Sequence, residues 1–176
     1  MTHPNIIKII CHDIGKHLGC YGVKSVSTKA IDALAKNGIL FENSYATSPG
    51  CSPSRAAIAT GLYPHNNGVL GLAHAHFGWS LDKKVNHIAK HFFKNNYSSI
   101  LFGLQHVTYN EKTLGFKKIF PERPADAVVK NIKENIDSNL FKKPFYAEIN
   151  FFEPHRPFDF GGVKPFKSKG ISVPKY

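Results

Sequence analysis

The chain has 176 residues, of which 42% are hydrophobic, and this length suits one domain with a buried core. Its formal net charge is +11, but it contains only three arginines and its lysines are scattered singly or in pairs, which does not favour nucleic-acid binding. No apolar segment reaches the length of a membrane-spanning helix, and three cysteines without paired spacing do not predict a disulfide framework.

The N-terminal residues Met1–Pro4 lead directly into an apolar run, without the charged and apolar regions of a secretory signal. As written, the sequence therefore predicts a soluble, cytoplasmic protein with no membrane partner. The excess of positive charge remains compatible with anionic substrates.

Predicted strands and helices alternate along the chain. Apolar runs predict strands, the first of them a buried parallel strand, over Asn5–Cys11, Ile39–Tyr45, Ser98–Phe102 and Phe145–Phe152. Amphipathic or Ala-rich spacing predicts helices over Lys29–Lys36, over the run Ala56–Thr60 that follows Cys51–Arg55, over Val85–Lys94 and over Ala125–Ile136. This alternation predicts an α/β fold with a mostly parallel sheet flanked by helices. The sequence after Phe158, rich in glycine and proline, is predicted to form turns.

Polar side chains follow the predicted strands at the points where the strands end. His12 and Asp13 follow the first strand, His106 follows the third, and His155 follows the last. Sites in open α/β sheets form at the carboxyl ends of the strands. We therefore expect these residues to converge with Cys51 and Arg55 at one edge of the sheet.

The segment Cys51-Ser52-Pro53-Ser54-Arg55 resembles the C-x-P-S-R signature of the sulfatase family. The resemblance extends to His12-Asp13, Phe41–Leu72, Gly103–Val107 and Phe152–Pro157, and is closest to the N-sulfoglucosamine sulfohydrolase (heparan N-sulfatase) type. It implies an alkaline phosphatase-like fold, of which residues 1–176 would form the N-terminal part of the catalytic domain.

In sulfatases the signature cysteine is oxidised to formylglycine, whose hydrate is the nucleophile. One hydroxyl of the hydrate attacks sulfur, and the other expels sulfate as the aldehyde re-forms. By this resemblance Cys51 supplies the nucleophile, a formylglycine-generating enzyme is a partner for maturation, and the substrate is a sulfated small molecule or saccharide. The small residues Ser52, Pro53 and Ser54 would let the loop present Cys51 at a helix N-terminus, where backbone N–H groups favour an anion.

The resemblance also implies roles for the other site residues. Arg55 would hold the hydrate, His106 would take its proton, and His155 would contact sulfate and protonate the leaving group. Asp13 would bind a divalent metal, usually calcium in this family, together with the oxygen derived from Cys51.

Two positions depart from the family pattern. Most sulfatases have aspartate at the position of His12, so this imidazole either binds a metal other than calcium or only lines the site. Sulfatases usually have lysine at the position of Leu104, so one sulfate-binding cation is missing unless a lysine elsewhere replaces it.

Other histidines permit simpler interpretations. His87 and His91 are four residues apart and could bind zinc on a helix, but a solvated helix face is favoured because the H-E-x-x-H glutamate is absent. His65, His74 and His76 could line a substrate pocket. Asp13 itself could be a turn cap rather than a ligand.

Sulfatase catalytic domains are longer than this chain, and no Asp-Asn pair that would complete the metal site follows His155. We therefore expect a truncated fold, poor solubility and no turnover from these residues alone. Two alternatives stay open: a phosphonate or phosphodiester hydrolase of the same superfamily, and a non-catalytic, decayed fragment.

Overall fold

The computed structural model describes residues 3–74, 76 and 78–156. Its sheet has four strands in the order β1-β4-β2-β3, with every neighbouring pair parallel. The strands are β1 (Ile6–Cys11), β2 (Ser98–Gly103), β3 (Lys118–Phe120) and β4 (Phe145–Phe151). The predicted α/β fold with a mostly parallel sheet is confirmed.

Helices occupy the connections between the strands. They are α1 (Lys29–Asn37), α2 (Cys51–Thr60), α3 (Pro64–Asn67), α4 (Ile88–Lys94) and α5 (Ala125–Asn135). The sequence did not predict α3 or β3, because four and three residues are too short to show a periodic pattern. No helix in the described part of the chain is long and apolar enough to cross a membrane.

The core is built around β2, which is buried at all six of its positions. Ile100 and Phe102 of this strand pack with Val128 of α5. A second cluster joins Ala56 of α2 to Val69, Val107 and Leu114. The start of α2 and the end of β2 are thereby held in place by apolar packing.

The predicted strand Ile39–Tyr45 is wrong. This segment is neither helix nor strand, and Ile39 and Tyr45 are 83% and 86% exposed. Strand propensity expresses how well side chains fit a paired, half-buried surface. Among the described strands none pairs with this segment, so its apolar composition does not produce a strand.

β1 is a parallel strand as predicted, but it is not buried on both faces. It lies at one edge of the described sheet, and its Ile7 and Ile9 are 57% and 52% exposed. An apolar run alone does not distinguish a central strand from an edge strand. The predicted turn-rich tail after Phe158 lies outside the described residues.

His87 is buried at the start of α4, so the prediction of a solvated face is wrong for this residue. It is 2% exposed, and its Nδ1 accepts a hydrogen bond of 3.1 Å from the backbone N–H of Ala89. The helix starts at Ile88 rather than Val85, which makes His87 its N-cap. His91, in the next turn, is exposed as expected.

Acid is expected to destabilise the protein through His87. Burial, opposed in part by nearby Glu148, lowers the pKa of His87 to about 4. In the unfolded chain the pKa of a histidine is about 6.5. Below the unfolded pKa the unfolded chain therefore binds more protons, and stability falls until the folded pKa is reached. The contribution amounts to about 2 kcal/mol lost between about pH 7 and pH 5.

His87→Asn keeps a side chain suited to an N-cap and removes the titrating group. Chemical denaturation across this pH range is expected to show a flatter stability profile for His87→Asn than for the parent chain. His91→Asn, at an exposed position, is the matched control and should keep the parent profile. Parallel profiles for the parent chain and His87→Asn would show that His87 does not cause the loss.

Candidate active site

A cavity of about 630 Å³ lies at the carboxyl ends of the strands, where parallel α/β sheets place their sites. Four of the predicted site residues line it: His12, Cys51, His106 and His155. They follow β1, start α2, follow β2 and follow β4, respectively. The structure therefore brings together residues that lie far apart in the sequence.

Two of the polar residues after strands adopt a left-handed backbone. Asp13 has φ 51° and His106 has φ 57°. Residues other than glycine rarely adopt this conformation, which costs on the order of 1 kcal/mol or more. The sharp turns put Asp13 next to His12 and bring the His106 ring to Cys51, so both strained residues lie at the site.

Cys51 is the first residue of α2, so it lies at a helix N-terminus as predicted, but the helix begins five residues before the predicted run Ala56–Thr60. Its Sγ lies 3.3 Å from Nδ1 of His106. Because backbone N–H groups and the helix dipole favour negative charge at a helix N-terminus, this position suits an anionic group. The imidazole of His106 is within reach to exchange a proton with the side chain at position 51.

The small residues after Cys51 hold the first turn of α2 in the core. Ser52 is fully buried, and its Oγ accepts a hydrogen bond of 2.9 Å from the backbone N–H of Ala73. Pro53 is also buried, in the first helical turn where a missing N–H has no cost. The loop carrying Ala73 is thereby fastened to the motif.

Arg55 projects from α2 into the protein and is only 6% exposed. Its guanidinium donates to Oδ1 of Asn150, at 3.1 Å, and to the backbone oxygen of Leu104, at 3.4 Å. Burial lowers the pKa of Arg55, and this is opposed chiefly by Glu148 and then by Cys51. An arginine titrates so far above neutral pH that it stays charged.

A buried polar network on β4 supports Arg55. The amide of Asn150 donates to Glu148 at 3.2 Å, and Tyr146 donates its hydroxyl to the same carboxylate at 2.8 Å. Lys8 of β1 pairs with Glu148 at 2.7 Å. Burial raises the pKa of Glu148, but Lys8 and His87 outweigh it and hold that pKa below its usual range.

Sequence reasoning missed Glu148 and Asn150. Both lie inside an apolar strand, two residues apart, and side chains at this spacing share one face of the strand. The two polar residues at alternate positions of an apolar run could have indicated a buried polar network, because buried polar groups need hydrogen-bond partners.

His12 is 4% exposed and its ring packs edge-on against the rings of Phe152 and His155, at centroid distances of 5.3 and 4.6 Å. Its Nδ1 lies 2.9 Å from a carboxylate oxygen of Asp13. Its Nε2 is buried and has no hydrogen-bond partner among the described residues. Burial and then Arg55 lower the pKa of His12.

His106 is also kept neutral near pH 7. Burial is the largest cause, followed by the positive charge of Arg55, and together with nearby histidines they lower the pKa of His106 to about 4. The ring of His74 stacks on that of His106 at a centroid distance of 5.5 Å. A neutral imidazole beside position 51 can accept a proton or bind a metal ion.

The sulfatase family model matches residues 4–148 of this sequence. The chain belongs to the sulfatase family. It is 40% identical to an ulvan-active sulfatase of Formosa agariphila over 86% of this chain and 30% of that protein. It is 26% identical to the N-sulphoglucosamine sulphohydrolase of Homo sapiens over 86% of this chain and 32% of that protein. The predicted relationship to the N-sulfoglucosamine type is confirmed, and the chain spans about a third of the length of these two relatives.

Solved structures support the same fold. The phosphonate monoester hydrolase of Agrobacterium radiobacter superposes with a TM-score of 0.71 at 23% identity, over 88% of this chain and 42% of that protein. A putative sulfatase of Bacteroides thetaiotaomicron superposes with a TM-score of 0.71 at 27% identity, over 98% of this chain and 40% of that protein. This sulfatase chain therefore has the alkaline phosphatase-like fold that its sequence predicted.

The described residues offer two groups of metal ligands, and both include His12. One consists of His12, Cys51 and His106, and the other of His12, Asp13 and His155, with the ligand atoms of each group within 4.8 Å of one another. Calcium takes about six to eight oxygen ligands, and Asp13 is the single carboxylate in the two groups. The other donors in the two groups are imidazoles and one thiol, which softer metals such as zinc prefer.

Arg123 is a cavity residue that sequence reasoning did not select. It lines the same cavity as Leu104, and its guanidinium lies over the ring of Phe152, 5.7 Å from the centroid. It belongs to the connection between β3 and α5, outside every motif, so no sequence signal marked it. Of the loop histidines left open by the sequence, His74 lines the cavity as well.

Proposed function

We propose that this chain is the nucleophile-bearing part of a sulfatase catalytic domain, which hydrolyses sulfate esters or sulfamates through a formylglycine made from Cys51. One observation carries the proposal. Cys51 of the C-x-P-S-R motif starts α2 with its sulfur 3.3 Å from His106, and Arg55 of the same motif is buried beside it.

When present, formylglycine supplies as its hydrate one hydroxyl for attack on sulfur and a second whose deprotonation releases sulfate. His106, neutral and in contact with position 51, is placed to accept that proton. Arg55 holds a fixed positive charge beside position 51, because Asn150 and the oxygen of Leu104 fix its guanidinium. His155, whose ring packs against that of His12 and which lines the same cavity, would contact the sulfuryl group or the leaving atom.

Arg123 replaces the sulfate-binding lysine that sulfatases usually have at the position of Leu104. It lines the cavity that contains Cys51 and His106, so its guanidinium is available to a sulfate group. A divalent metal is held by Asp13 and His12, and this pair favours a metal that binds imidazole rather than calcium.

The substrate is a sulfated small molecule or saccharide. The cavity volume of about 630 Å³ falls within the range of small-molecule sites, about 300–1,000 Å³. Two named relatives, the ulvan-active sulfatase and the N-sulphoglucosamine sulphohydrolase, point to sulfated sugars. The net charge of +11 favours such anions.

The first test is maturation of Cys51. The chain is co-produced with a formylglycine-generating enzyme and examined by peptide mass spectrometry. Cys51 is expected to become formylglycine, whereas Cys11 and Cys20 stay thiols because neither lies in the motif. Cys51→Ser is the matched control and should show no conversion. An unmodified Cys51 under conditions that mature a control sulfatase would contradict the proposal.

A phosphonate or phosphodiester hydrolase is the second candidate, favoured by the fold shared with the phosphonate monoester hydrolase. The test uses the longest polypeptide that the gene encodes, after maturation of Cys51. Hydrolysis of an aryl sulfate and of an aryl phosphonate is measured with this protein. Faster turnover of the sulfate supports a sulfatase, and faster turnover of the phosphonate supports the alternative. No turnover of either substrate, with Cys51 converted, would favour a non-catalytic protein.

A further inference from the structure

We propose that, before Cys51 is converted, His12, Cys51 and His106 form a zinc-binding site of one thiolate and two imidazoles. The zinc-bound protein carries Cys51 as a thiolate and not as formylglycine. Its ligands also differ from the group formed by His12, Asp13 and His155. The zinc site itself needs neither conversion of Cys51 nor sulfatase activity, and only its consequence for maturation rests on the proposed function.

The distances fit a tetrahedral metal. Zinc binds sulfur at about 2.3 Å and nitrogen at about 2.05 Å, which places two such ligands about 3.5 Å apart at a tetrahedral angle. Sγ of Cys51 and Nδ1 of His106 are 3.3 Å apart. A ligand atom of His12 lies within 4.8 Å of both, so the three side chains must draw closer together when the metal binds.

Burial of His12 points to a missing partner. Its ring is 4% exposed, and its Nε2 makes no hydrogen bond to the described residues. Buried polar atoms without a partner are rare in folded proteins, and each needs an explanation. A metal ion in the cavity would satisfy this nitrogen.

Ligand chemistry selects the metal. Thiolate and imidazole are the donors of zinc sites, whereas calcium requires oxygen atoms. On binding, Cys51 gives up its thiol proton to solvent and the sulfur coordinates as thiolate. The positive charge of Arg55 is offset by Glu148 and by that thiolate. Three protein ligands leave a fourth position open to water.

This site has a direct consequence for maturation. Zinc and formylglycine formation compete for the sulfur atom of Cys51. The metal-bound chain would therefore hold Cys51 in a protected form, since a coordinated thiolate is not free to react.

The test uses the 176-residue chain produced without a formylglycine-generating enzyme, reduced and freed of metal. Cobalt(II) is the spectroscopic probe, and zinc is then added in competition. We expect one cobalt per chain, a thiolate-to-metal charge-transfer band and the d–d bands of tetrahedral cobalt, all abolished by zinc. Zinc should also slow alkylation of Cys51 by iodoacetamide and leave alkylation of Cys20 unchanged.

Variants locate the metal. Cys51→Ser should abolish the charge-transfer band, and His12→Asn and His106→Asn should each weaken zinc binding by on the order of 100-fold or more, since even outer-shell residues cost about 10–100-fold. Cys20→Ser and His91→Asn are the controls and should bind like the parent chain. Circular dichroism of each variant checks that it folds.

Three results would overturn the inference. A charge-transfer band that survives in folded Cys51→Ser would show that this sulfur is not a ligand. Loss of binding in His155→Asn with full binding in His106→Asn would place the metal among His12, Asp13 and His155 instead. The alkylation assay uses the parent chain, so unprotected Cys51 at saturating zinc would contradict the proposal even where a variant fails to fold.

Discussion

Gly103→Ala is expected to destabilise the protein by about 4 kcal/mol or more, which is at the upper end for a single substitution. Gly103 ends β2 with φ +85°, and a Cβ there would lie 2.1 Å from the backbone oxygen of Asn150. This oxygen belongs to the neighbouring strand β4, so it cannot move away without opening the parallel ladder. Chemical denaturation measures the loss.

Gly61→Ala is the matched control for Gly103→Ala. Gly61 ends α2 with φ +70°, and a Cβ there would meet nothing within 4 Å. Its substitution therefore costs only the left-handed backbone, about 1–2 kcal/mol. Equal losses for the two variants would show that backbone conformation, and not the clash with Asn150, explains the requirement for glycine at position 103.

Lys8→Met is expected to cost about 3 kcal/mol of stability, since removal of one partner leaves a buried charge uncompensated. The Glu148 carboxylate is 3% exposed and lies 2.7 Å from Nζ of Lys8. Because Lys8 is a main cause of the lowered pKa of Glu148, its removal raises that pKa. The difference from the parent chain should therefore shrink as pH falls and Glu148 takes up a proton.

Two further variants complete this experiment. In Lys8→Met with Glu148→Gln the buried charge is gone, and the double variant should be more stable than Lys8→Met alone at neutral pH. Lys130→Met is the control, because Lys130 pairs with Glu134 at 3.8 Å on an exposed helix face and should lose less than about 1 kcal/mol. Equal losses for Lys8→Met and Lys130→Met would contradict the buried network.

Glu148 also connects stability to the site. Its carboxylate accepts from the amide of Asn150, which in turn accepts from Arg55. A negative charge in the sheet thereby offsets a positive charge beside position 51. Substitution of Gly103 or Lys8 should therefore disturb the position of Arg55. Gly103 lies against the backbone of Asn150, and Lys8 pairs with Glu148, which binds the amide of Asn150.

Local sequence determined much of the architecture. The strands β2 and β4 and the helical run Ala56–Thr60 follow from hydrophobic pattern and composition, and they lie where those patterns predict. The convergence of His12, Cys51, His106 and His155 follows from one rule, that carboxyl ends of parallel strands meet at one edge. The helices and strands depend on residues close to one another in the sequence, and the convergence of the four site residues needs in addition that the strands pair in parallel.

Pairing between distant residues decided the rest. Ile39–Tyr45 has strand composition but no paired neighbour in the described structure, and His87 has a polar side chain but lies in a buried cap. Arg123 reaches the cavity from a connection without any motif, and Arg55 finds its partner 95 residues away, at Asn150. Burial and hydrogen-bond partners are properties of the folded chain, so only the tertiary structure assigns them.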